Sequence, residues 1–264
     1  IDTIVLLSTK LCNVKLLEFC ASESLQKLNK NGQEQRWRKT NSRRSGCAAC
    51  VDYDGDPATP HHLKALGFGF AVHLAIQVVG HITACHINPA VSITSLLLRK
   101  ISIIQFVVYL LAQFLGALLG FGLLKVLFPE NYVQNGFCMT KVGGGATLTQ
   151  GFFIELVITC ILCFVLCSVW DRRNEKWGDS TPVRFAIIIS VLSIIGGPLT
   201  GASMNTARSF APAVFGSKAD WEDQWVYWTA PNISPFISVG FYKLFFSEPK
   251  AKNRSDDYSQ AVSS

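Results

Sequence analysis

The sequence predicts an all-α membrane protein, and three features of the chain lead to this fold class. Charged residues make up only 16% of the 264 residues, whereas a typical soluble chain has about 25%. Asp, Glu, Lys and Arg are absent from Ala65–Leu98, Ile101–Leu124, Phe185–Ala207 and Gln224–Tyr242, and uncharged runs of about 18 residues or more are typical of membrane spans. The third feature is an internal repeat of two short apolar segments. A soluble enzyme with one packed core is excluded, and a nucleic-acid-binding protein is disfavoured.

Residues 1–44 differ from the rest of the chain because they are polar and basic. They hold 9 of the 24 Lys and Arg residues but 4 of the 18 Asp and Glu residues. The apolar stretch Ile4–Leu17 is interrupted by Lys10 and Lys15, so it is too short and too charged to span a bilayer. We expect residues 1–44 to form an atypical cytosolic arm without a packed core.

Five segments after His62 are long enough to cross a membrane as helices. They are residues 63–82, 102–127, 150–169, 184–197 with a short extension, and 226–246. Two further apolar segments, residues 88–98 and 205–214, are too short, since about eleven helical residues reach half of a hydrocarbon core of about 30 Å. Backbone that ends at this depth must be covered by protein or line a wet cavity. The sequence therefore predicts two half-helices that end inside the membrane.

Basic residues mark the loops on one side of the predicted bundle. Lys and Arg residues occur at 99–100, 172–176 and 250–254, in loops that are two spans apart, and the intervening loops are acidic. Because loops rich in Lys and Arg stay in the cytoplasm, we expect this side to be cytosolic. Both termini lie there if one more span precedes His62.

The two short segments are copies of one motif. Residues 80–92 (GHITACHINPAVS) align with residues 197–209 (GPLTGASMNTARS) at a shift of 117 residues, with Gly, Thr, Asn, Ala and Ser in register. Three spans separate the copies, so the second copy is inverted relative to the first. Inverted repeats with broken helices are typical of a transport pathway near the bilayer midplane.

Each copy predicts a loop that is followed by the start of a helix. Asn88 and Asn205 suit the N-cap, and Pro89 suits the first helical position. Half-helices that enter from opposite faces bring the positive ends of two helix dipoles to the membrane centre. That field repels cations, including hydronium, while the Asn side chains offer N–H groups to a passing oxygen atom.

The two motifs resemble those of the aquaporin (major intrinsic protein) family. Asn88-Pro89-Ala90 matches the first signature box, and Asn205-Thr206-Ala207-Arg208 resembles the second. The resemblance covers residues 45–246 and implies an hourglass of six transmembrane helices plus two re-entrant half-helices, assembled as a homotetramer without a cofactor. It divides the chain into a first repeat at residues 45–128, a second repeat at residues 149–246, and a polar cytosolic tail at residues 247–264.

The family builds a narrow filter near its outer face from four side chains. The matching positions here are Phe68, Ser193, Ala202 and Arg208. Water-selective relatives typically have His at the position of Ser193. The small side chains of Ser193 and Ala202 therefore predict a wider filter, with the apolar ring of Phe68 on one side and the hydrogen-bond donors of Arg208 on the other. This set resembles that of the insect glycerol channels (entomoglyceroporins). The resemblance also implies that Glu155 supports the backbone of a re-entrant loop.

Two regions depart from the family pattern. Thr206 replaces the usual Pro of the second box, and because Thr keeps its N–H, we expect a working but slightly looser turn. The residues before Ser45 do not resemble the first family helix. We therefore expect the first helix to be degraded or missing in this chain.

The function that these features predict is a passive channel for water and small neutral solutes, with glycerol and urea among the permeants and with ions and protons excluded. The expected partners are these permeants, membrane lipid and further copies of the chain, with no nucleic acid. We expect a multi-pass protein of the plasma membrane with both termini in the cytoplasm. A strictly water-selective aquaporin and a poorly conducting or truncated relative remain as alternatives.

Metal binding and catalysis are not expected. Cys160, Cys163 and Cys167 lie on one face of an uncharged span, where cysteine serves as a small hydrophobic residue. The sequence has no paired carboxylates, no HExxH motif, and no Ser or Cys with a convincing base. We therefore predict no metal, no cofactor and no enzymatic activity.

Overall fold

The computed structural model describes residues 60–128 and 138–246, and in both ranges the chain is helical. The helices in these residues are α1 (His61–Thr83), α2 (Pro89–Leu97), α3 (Ile103–Leu127), α4 (Leu148–Val169), α5 (Thr181–Thr200), α6 (Thr206–Val214) and α7 (Gln224–Phe246). Two 3₁₀ segments, Arg172–Ser180 and Lys218–Trp221, precede α5 and α7. The predicted all-α fold is confirmed, and each predicted span and half-helix corresponds to one of these helices.

Four helical segments of the described residues are long and apolar enough to cross a membrane. They are α1, α3, α4, and α5 together with the 3₁₀ segment before it. The helix α7 has 23 residues but contains Pro231, Asn232 and Pro235, and it is not in this group. The predicted arm at residues 1–44, the region of the first helix up to residue 59, and the predicted tail at residues 247–264 lie outside the described residues.

Two long helices begin at reciprocal side-chain caps. At the start of α3, the Ser102 hydroxyl accepts a hydrogen bond from the Gln105 N–H, and the Gln105 side chain accepts one from the Ser102 N–H. Thr147 and Gln150 make the same pair at the start of α4. Such capping boxes satisfy N–H groups that a helix start leaves without partners, so these helix starts are fixed by local sequence.

The long helices pack in pairs through small residues. The helices α1 and α5 come close together at Gly69, where an added Cβ would collide with the Ala186 carbonyl and the Ser190 hydroxyl. Between α4 and α7, Ser234 donates to the Leu156 carbonyl, and Ser238 donates to the Cys160 carbonyl, both at 3.0 Å. Close packing and serine hydrogen bonds are typical of helix contacts in membranes.

Polar residues lie inside the bundle, and large apolar residues lie outside. Gln113 and Glu155 are buried, whereas Leu111, Ile187 and Phe236 are each more than half exposed. Soluble domains show the opposite arrangement, because water favours polar surfaces. The distribution therefore matches a protein that is surrounded by lipid and contains a polar interior.

Candidate pore between the two half-helices

The short helices α2 and α6 begin at the two predicted asparagines. The Asn88 Oδ1 atom accepts a hydrogen bond from the Ala90 N–H at 2.9 Å, with Pro89 as the first helical residue. The Asn205 Oδ1 atom accepts one from the Arg208 N–H at 3.2 Å. Both asparagines therefore act as N-caps, and this role uses only their oxygen atoms.

The side-chain nitrogen of each asparagine bonds to the other repeat. The Asn88 Nδ2 atom donates to the carbonyl of Met204 at 2.8 Å, and the Asn205 Nδ2 atom donates to the carbonyl of Ile87 at 2.9 Å. Each acceptor directly precedes the opposite asparagine, so the two bonds are related by the symmetry of the inverted repeat. An amide NH₂ has two hydrogens, and one of them is left on each side chain for another acceptor.

The loops before α2 and α6 have the same backbone shape. Positive φ angles occur at Ala84 and Gly201, at Cys85 and Ala202, and at Ile87 and Met204, with values between 41° and 77°. Each pair is 117 residues apart, which is the shift of the sequence repeat. Positive φ is uncommon for residues with a Cβ atom. The repeat is thus a repeat of an unusual conformation as well as of sequence.

Glu155 holds the loop before α6 from the middle of α4. Its Oε1 atom accepts hydrogen bonds from the Thr200 hydroxyl at 2.6 Å and from the Ser203 N–H at 2.8 Å. Its Oε2 atom accepts one from the Met204 N–H at 2.9 Å. The side chain is fully buried, and three donors on one carboxylate provide the compensation that a buried charge requires.

Thr206, which stands at the usual position of Pro in the second box, has a partner on α7. Its hydroxyl donates to the Tyr227 carbonyl at 3.0 Å. Within α7 the helical donor for that carbonyl would be the N–H of residue 231, which is Pro231 and has no N–H. The threonine hydroxyl therefore satisfies a carbonyl that the proline leaves without its donor. Ala207 beside it is almost fully buried.

A cavity of about 250 Å³ lies where the two half-helices meet. Its polar wall includes Asn88, Asn205 and Arg208, and it extends to Cys138 on the α6 side and to Trp170 on the α2 side. Most of the other lining residues are apolar, among them Phe68, Val72, Val91, Leu162, Phe185 and Ile189. An apolar channel with a few converging polar groups is the arrangement that small-molecule sites generally share.

Two of the four predicted filter residues face each other across this cavity. The Arg208 guanidinium carbon lies 6.0 Å from the centre of the Phe68 ring. The Arg208 Nη1 atom donates to the Cys138 carbonyl at 2.9 Å. The Nε and Nη2 atoms of Arg208 are buried and have no hydrogen-bond partner among the described residues. Arg208 therefore borders the cavity and carries two buried nitrogen donors without an acceptor among the described residues.

Ser193 and Ala202, the other two predicted filter residues, are fully buried and lie outside the lining of the cavity. The Ser193 hydroxyl is buried with no hydrogen-bond partner among the described residues. His61, at the start of α1, lies against this position: its Nε2 atom is 3.0 Å from the Ser193 carbonyl, and its ring occupies the space where a side chain at Gly197 would lie.

Sequence reasoning did not identify a polar cluster that lies against the first loop. The His86 Nδ1 atom is 3.2 Å from the Ser92 hydroxyl, which also accepts a hydrogen bond from Gln113 Nε2 at 2.8 Å. The Tyr109 hydroxyl donates to the Thr83 carbonyl at 3.0 Å, and its ring lies 4.8 Å from the His86 ring. Tyr109 and Gln113 are four residues apart on α3, which places them on one face. This four-residue spacing within a predicted helix is the feature of the sequence that indicates that Tyr109 and Gln113 lie side by side.

The segment after Cys138 covers the α6 side of the cavity and is attached to several helices. The Thr140 hydroxyl donates to the Ser209 hydroxyl at 2.8 Å, and the Val142 N–H donates to the Asp223 carboxylate at 3.0 Å. Lys141 forms a 2.7 Å ion pair with Asp220. Although partial burial raises the pKa of Asp220, hydrogen bonds from Lys141 and from a neighbouring serine outweigh it and hold the pKa below its usual value.

Within residues 60–128 and 138–246, no group of three or more His, Cys, Asp or Glu residues could hold a metal ion. Cys160, Cys163 and Cys167 are free thiols on α4. Cys163 and Cys167 are buried there.

Comparison with known sequences gives a consistent family. A family model described as "Major intrinsic protein" matches residues 43–242. Human aquaporin-4 is 37% identical over 184 residues, which are 70% of this chain and 56% of that protein. The lens fiber major intrinsic protein of Gallus gallus is 36% identical over 202 residues, which are 75% of this chain and 74% of that protein. The chain thus spans just over half the length of the aquaporin-4 relatives that it matches.

Comparison with solved structures gives the same architecture. The X-ray structure of the aquaglyceroporin from Plasmodium falciparum superposes with a TM-score of 0.69 and covers 92% of this chain and 96% of that chain. The two sequences are 23% identical, so the similarity concerns the fold. The predicted hourglass of long helices and two half-helices is thereby confirmed.

Proposed function

Because this chain belongs to the major intrinsic protein (aquaporin) family, we propose that it forms a passive transmembrane channel for water and small neutral solutes. The family is one of channels rather than enzymes. One observation carries the proposal: the cavity lies between two helix N-termini and is bordered by Asn88, Asn205 and Arg208. These three side chains place hydrogen-bond donors along an otherwise mostly apolar wall.

The donors suit oxygen atoms that move in single file. Each of Asn88 and Asn205 has one amide hydrogen left after its bond to the opposite loop. Arg208 contributes two donors that lack a partner among the described residues. A buried donor without a partner is costly, and the oxygen of water or of a small alcohol or amide would satisfy it. The apolar side chains of the lining form no hydrogen bonds with a permeant. The permeant is therefore bound weakly and passes through the channel.

Ions and protons are excluded by the same geometry. The N-termini of α2 and α6 carry partial positive charge, and both border the cavity through their N-cap asparagines. Arg208 adds a full positive charge beside Phe68. Among the described residues that line the cavity, a cation would meet three positive centres and no carboxylate, since Glu155 is fully buried and its oxygens accept three hydrogen bonds from the loop. Anions are opposed by the cost of leaving water for an apolar wall.

Glycerol and urea are the solutes that we propose beside water. Phe68 offers a face for the carbon side of glycerol, while the Nε and Nη2 atoms of Arg208 offer donors for its hydroxyl groups. The small side chains of Ser193 and Ala202 leave no bulky polar group at the positions that a narrow water filter would fill. A solute with one apolar edge and one hydrogen-bonding edge fits between the Phe68 ring and the Arg208 guanidinium.

A strictly water-selective channel is the second candidate. The observation that favours it is that Ser193 and Ala202 expose no surface to the cavity. If they do not line the narrowest point, their small size does not widen it. His61, which contacts the Ser193 carbonyl, would then take part in setting the width. A poorly conducting relative is a third possibility, and the same transport assay separates all three.

We propose that the channel lies in the plasma membrane as a homotetramer with both termini in the cytoplasm. The support for a membrane location is the exposed apolar surface of the long helices. The support for the orientation is the exposed pair Arg99 and Lys100 and the exposed pair Arg172 and Arg173, since basic loops face the cytoplasm.

Transport into proteoliposomes tests the proposal. Vesicles with the reconstituted chain should shrink faster than empty vesicles in a sucrose gradient, which reports water, and should re-swell faster in a glycerol gradient. In addition, Ser193→His should lower glycerol permeability more than water permeability, by about tenfold against about twofold, because a larger side chain discriminates by size at roughly 1 kcal/mol or more.

Ser193→Thr serves as the control, since it adds only one methyl group at the same position. A chain that passes water but excludes glycerol would favour the water-selective candidate. A chain that passes neither, although it is inserted and folded, would contradict the channel proposal.

A further inference from the structure

Each re-entrant loop starts at a threonine that is the last residue of a long helix. The helix α1 ends at Thr83 and α5 ends at Thr200, and these two residues are 117 positions apart, which is the shift of the repeat. A helix end leaves its last carbonyls without helical donors. Both threonines are buried, so each carbonyl needs a partner from another part of the protein.

A tyrosine hydroxyl supplies that partner in both halves of the chain. The Tyr109 hydroxyl on α3 donates to the Thr83 carbonyl at 3.0 Å, and the Tyr227 hydroxyl on α7 donates to the Thr200 carbonyl at 2.7 Å. Both tyrosines are less than a tenth exposed. The helix α3 follows the half-helix α2, and α7 follows α6. The corresponding helix of each repeat therefore holds the start of the loop in its own repeat.

The two tyrosines do not correspond in the sequence repeat. They are 118 residues apart, and the shift of 117 pairs Tyr109 with Val226 and Tyr227 with Leu110. Neither a valine nor a leucine side chain can donate a hydrogen bond. The bond from a tyrosine to the loop threonine thus occurs in both halves although the tyrosines are out of register by one residue. Similarity of the two aligned sequences does not account for it.

The side chain of each threonine extends the contact into its loop. The Cys85 N–H donates to the Thr83 hydroxyl at 3.3 Å, and the Ala202 N–H donates to the Thr200 hydroxyl at 3.2 Å. Cys85 and Ala202 have φ angles of 47° and 45° and are again 117 residues apart. A tyrosine that holds the threonine backbone therefore also acts on the residue two positions further into the loop.

Tyr227 holds the second loop at its other end as well. Its backbone carbonyl accepts a hydrogen bond from the hydroxyl of Thr206, the first residue of α6. One residue of α7 therefore contacts the loop at Thr200, where it begins, and at Thr206, where it ends. Between these two points lie Ala202, a proposed filter residue, and Asn205, which borders the cavity.

We propose that Tyr109 and Tyr227 are positioning residues of the channel, one for each re-entrant loop. Each hydroxyl fixes the carbonyl at which its loop begins, and this keeps the loop in the conformation that places Asn88 or Asn205 at the cavity. Tyr227 acts on the loop that contains Ala202, and Tyr109 acts on the opposite loop. The effect on permeation rests on the proposed channel function, whereas the effect on the mobility of the loops does not.

The test compares Tyr109→Phe and Tyr227→Phe, each of which removes one hydroxyl and keeps the ring. Tyr242→Phe is the matched control, since its hydroxyl donates to Asp171 at 2.9 Å, outside both loops. Amide hydrogen exchange of the full chain in detergent is measured by mass spectrometry on the peptides that contain Cys85 and Ala202. A peptide from α4 reports general destabilisation, because unfolding of the whole chain accelerates exchange there as well.

In Tyr109→Phe, exchange should be about fivefold faster in the first loop, the population shift that loss of one hydrogen bond of ordinary strength produces, and nearly unchanged in the second. Tyr227→Phe should show the opposite pattern, and Tyr242→Phe should match the unmodified chain in both loops.

The two substitutions should also differ in their effect on selectivity. In proteoliposomes, Tyr227→Phe should raise the ratio of glycerol to water permeability by about twofold, at the low end of what one hydrogen bond contributes, because it loosens the loop that contains Ala202. Tyr109→Phe and Tyr242→Phe should leave this ratio unchanged. The ratio does not depend on how much protein is folded.

Unchanged exchange in the loop of the substituted half would overturn the proposal, and so would equal acceleration in both loops and in α4. An unchanged permeability ratio in Tyr227→Phe, together with faster exchange in the second loop, would refute the role of Tyr227 in selectivity. If the unmodified chain conducts neither water nor glycerol, the proposed function fails. The exchange pattern then decides the inference alone: acceleration confined to one loop supports it, and its absence refutes it.

Discussion

The loops before α2 and α6 share one backbone shape but are held by different side chains. In both, the residue two positions before the asparagine is hydrogen-bonded to a serine six residues later: His86 to Ser92, and Ser203 to Ser209. That serine receives a further hydrogen bond, from Gln113 in the first repeat and from Thr140 in the second. The inverted repeat therefore preserves a pattern of bonds even where it changes the residues that make them.

The second loop has one support that the first lacks among the described residues. The carboxylate of Glu155 accepts two backbone N–H groups and one hydroxyl of the second loop. No carboxylate within residues 60–128 and 138–246 accepts a hydrogen bond from the first loop; neutral and aromatic side chains, with His86 at the centre, contact it instead. One conformation is thus stabilised by a buried charge in one half and by neutral hydrogen bonds in the other.

The largest effect is expected from Glu155→Gln, which removes the charge from the second loop. The glutamine side chain has one acceptor oxygen for the three donors, which are the Thr200 hydroxyl and the N–H groups of Ser203 and Met204. Its NH₂ group would face the donors that the oxygen does not bind. The free energy of unfolding should fall by about 3 kcal/mol, because buried donors lose a charged acceptor. Thermal unfolding in detergent, followed by the loss of helical circular dichroism, measures this.

Glu175→Gln is the matched control for that experiment. Glu175 is exposed in the 3₁₀ segment before α5, so the same chemical change should alter stability by less than about 0.5 kcal/mol. Equal effects of the two substitutions would mean that the carboxylate of Glu155 does not support the loop.

An intermediate effect is expected from Thr206→Val, which removes the hydroxyl but keeps the shape. The Tyr227 carbonyl then has no donor, because Pro231 cannot supply one, and the expected cost is about 1–2 kcal/mol. Thr206→Pro, which restores the residue of the first box, should lose the same hydrogen bond and regain only part of the stability through its fixed φ.

A double-mutant cycle with Pro231→Ala sharpens that prediction. Alanine at position 231 returns a helical N–H to the Tyr227 carbonyl, so Thr206→Val should then cost less than half as much. If Thr206→Val costs the same in the unmodified chain and in the Pro231→Ala variant, the hydroxyl has a different role from the one that its contact with Tyr227 indicates.

The two smallest effects are expected from Gln113→Leu beside the first loop and Thr140→Val beside the second. The substitution removes a donor to Ser92, but it also removes a Gln113 oxygen that has no partner among the described residues, so the loss should be about 1 kcal/mol. Thr140→Val removes the corresponding donor of the second loop. It should cost less than Gln113→Leu, since Glu155 continues to hold that loop; the unfolding temperatures of the two variants give the comparison, and the reverse order would contradict it.

Much of the fold could be predicted because membranes impose simple rules on sequence. Runs without charge marked the long helices, and the predicted ends of residues 63–82 and 102–127 differ by at most two residues from α1 and α3. The half-helices could be predicted from their short length and from the repeat. The motif asparagines could be named because the same residue recurs at a shift of 117 residues, and their caps follow from general helix preferences.

The contacts that surround these motifs could not be predicted in the same way. Cys138 and Arg208 are 70 residues apart in the chain, and His61 and Ser193 are 132 residues apart. No periodicity connects such pairs, since the contact depends on how separate helices pack. A comparison of side-chain sizes predicts that Ser193 belongs to the filter, but it does not indicate that His61 contacts the Ser193 carbonyl.

The crossed bonds of the two asparagines have a consequence for the order of events during biosynthesis. Asn88 takes its acceptor from Met204, 116 residues later in the chain, and Asn205 takes its acceptor from Ile87. When α2 leaves the ribosome, the carbonyl that its asparagine needs has not yet been synthesised. Both crossed bonds can therefore form only after residues 204 and 205 have been synthesised, and a chain arrested before that point carries a first half without them.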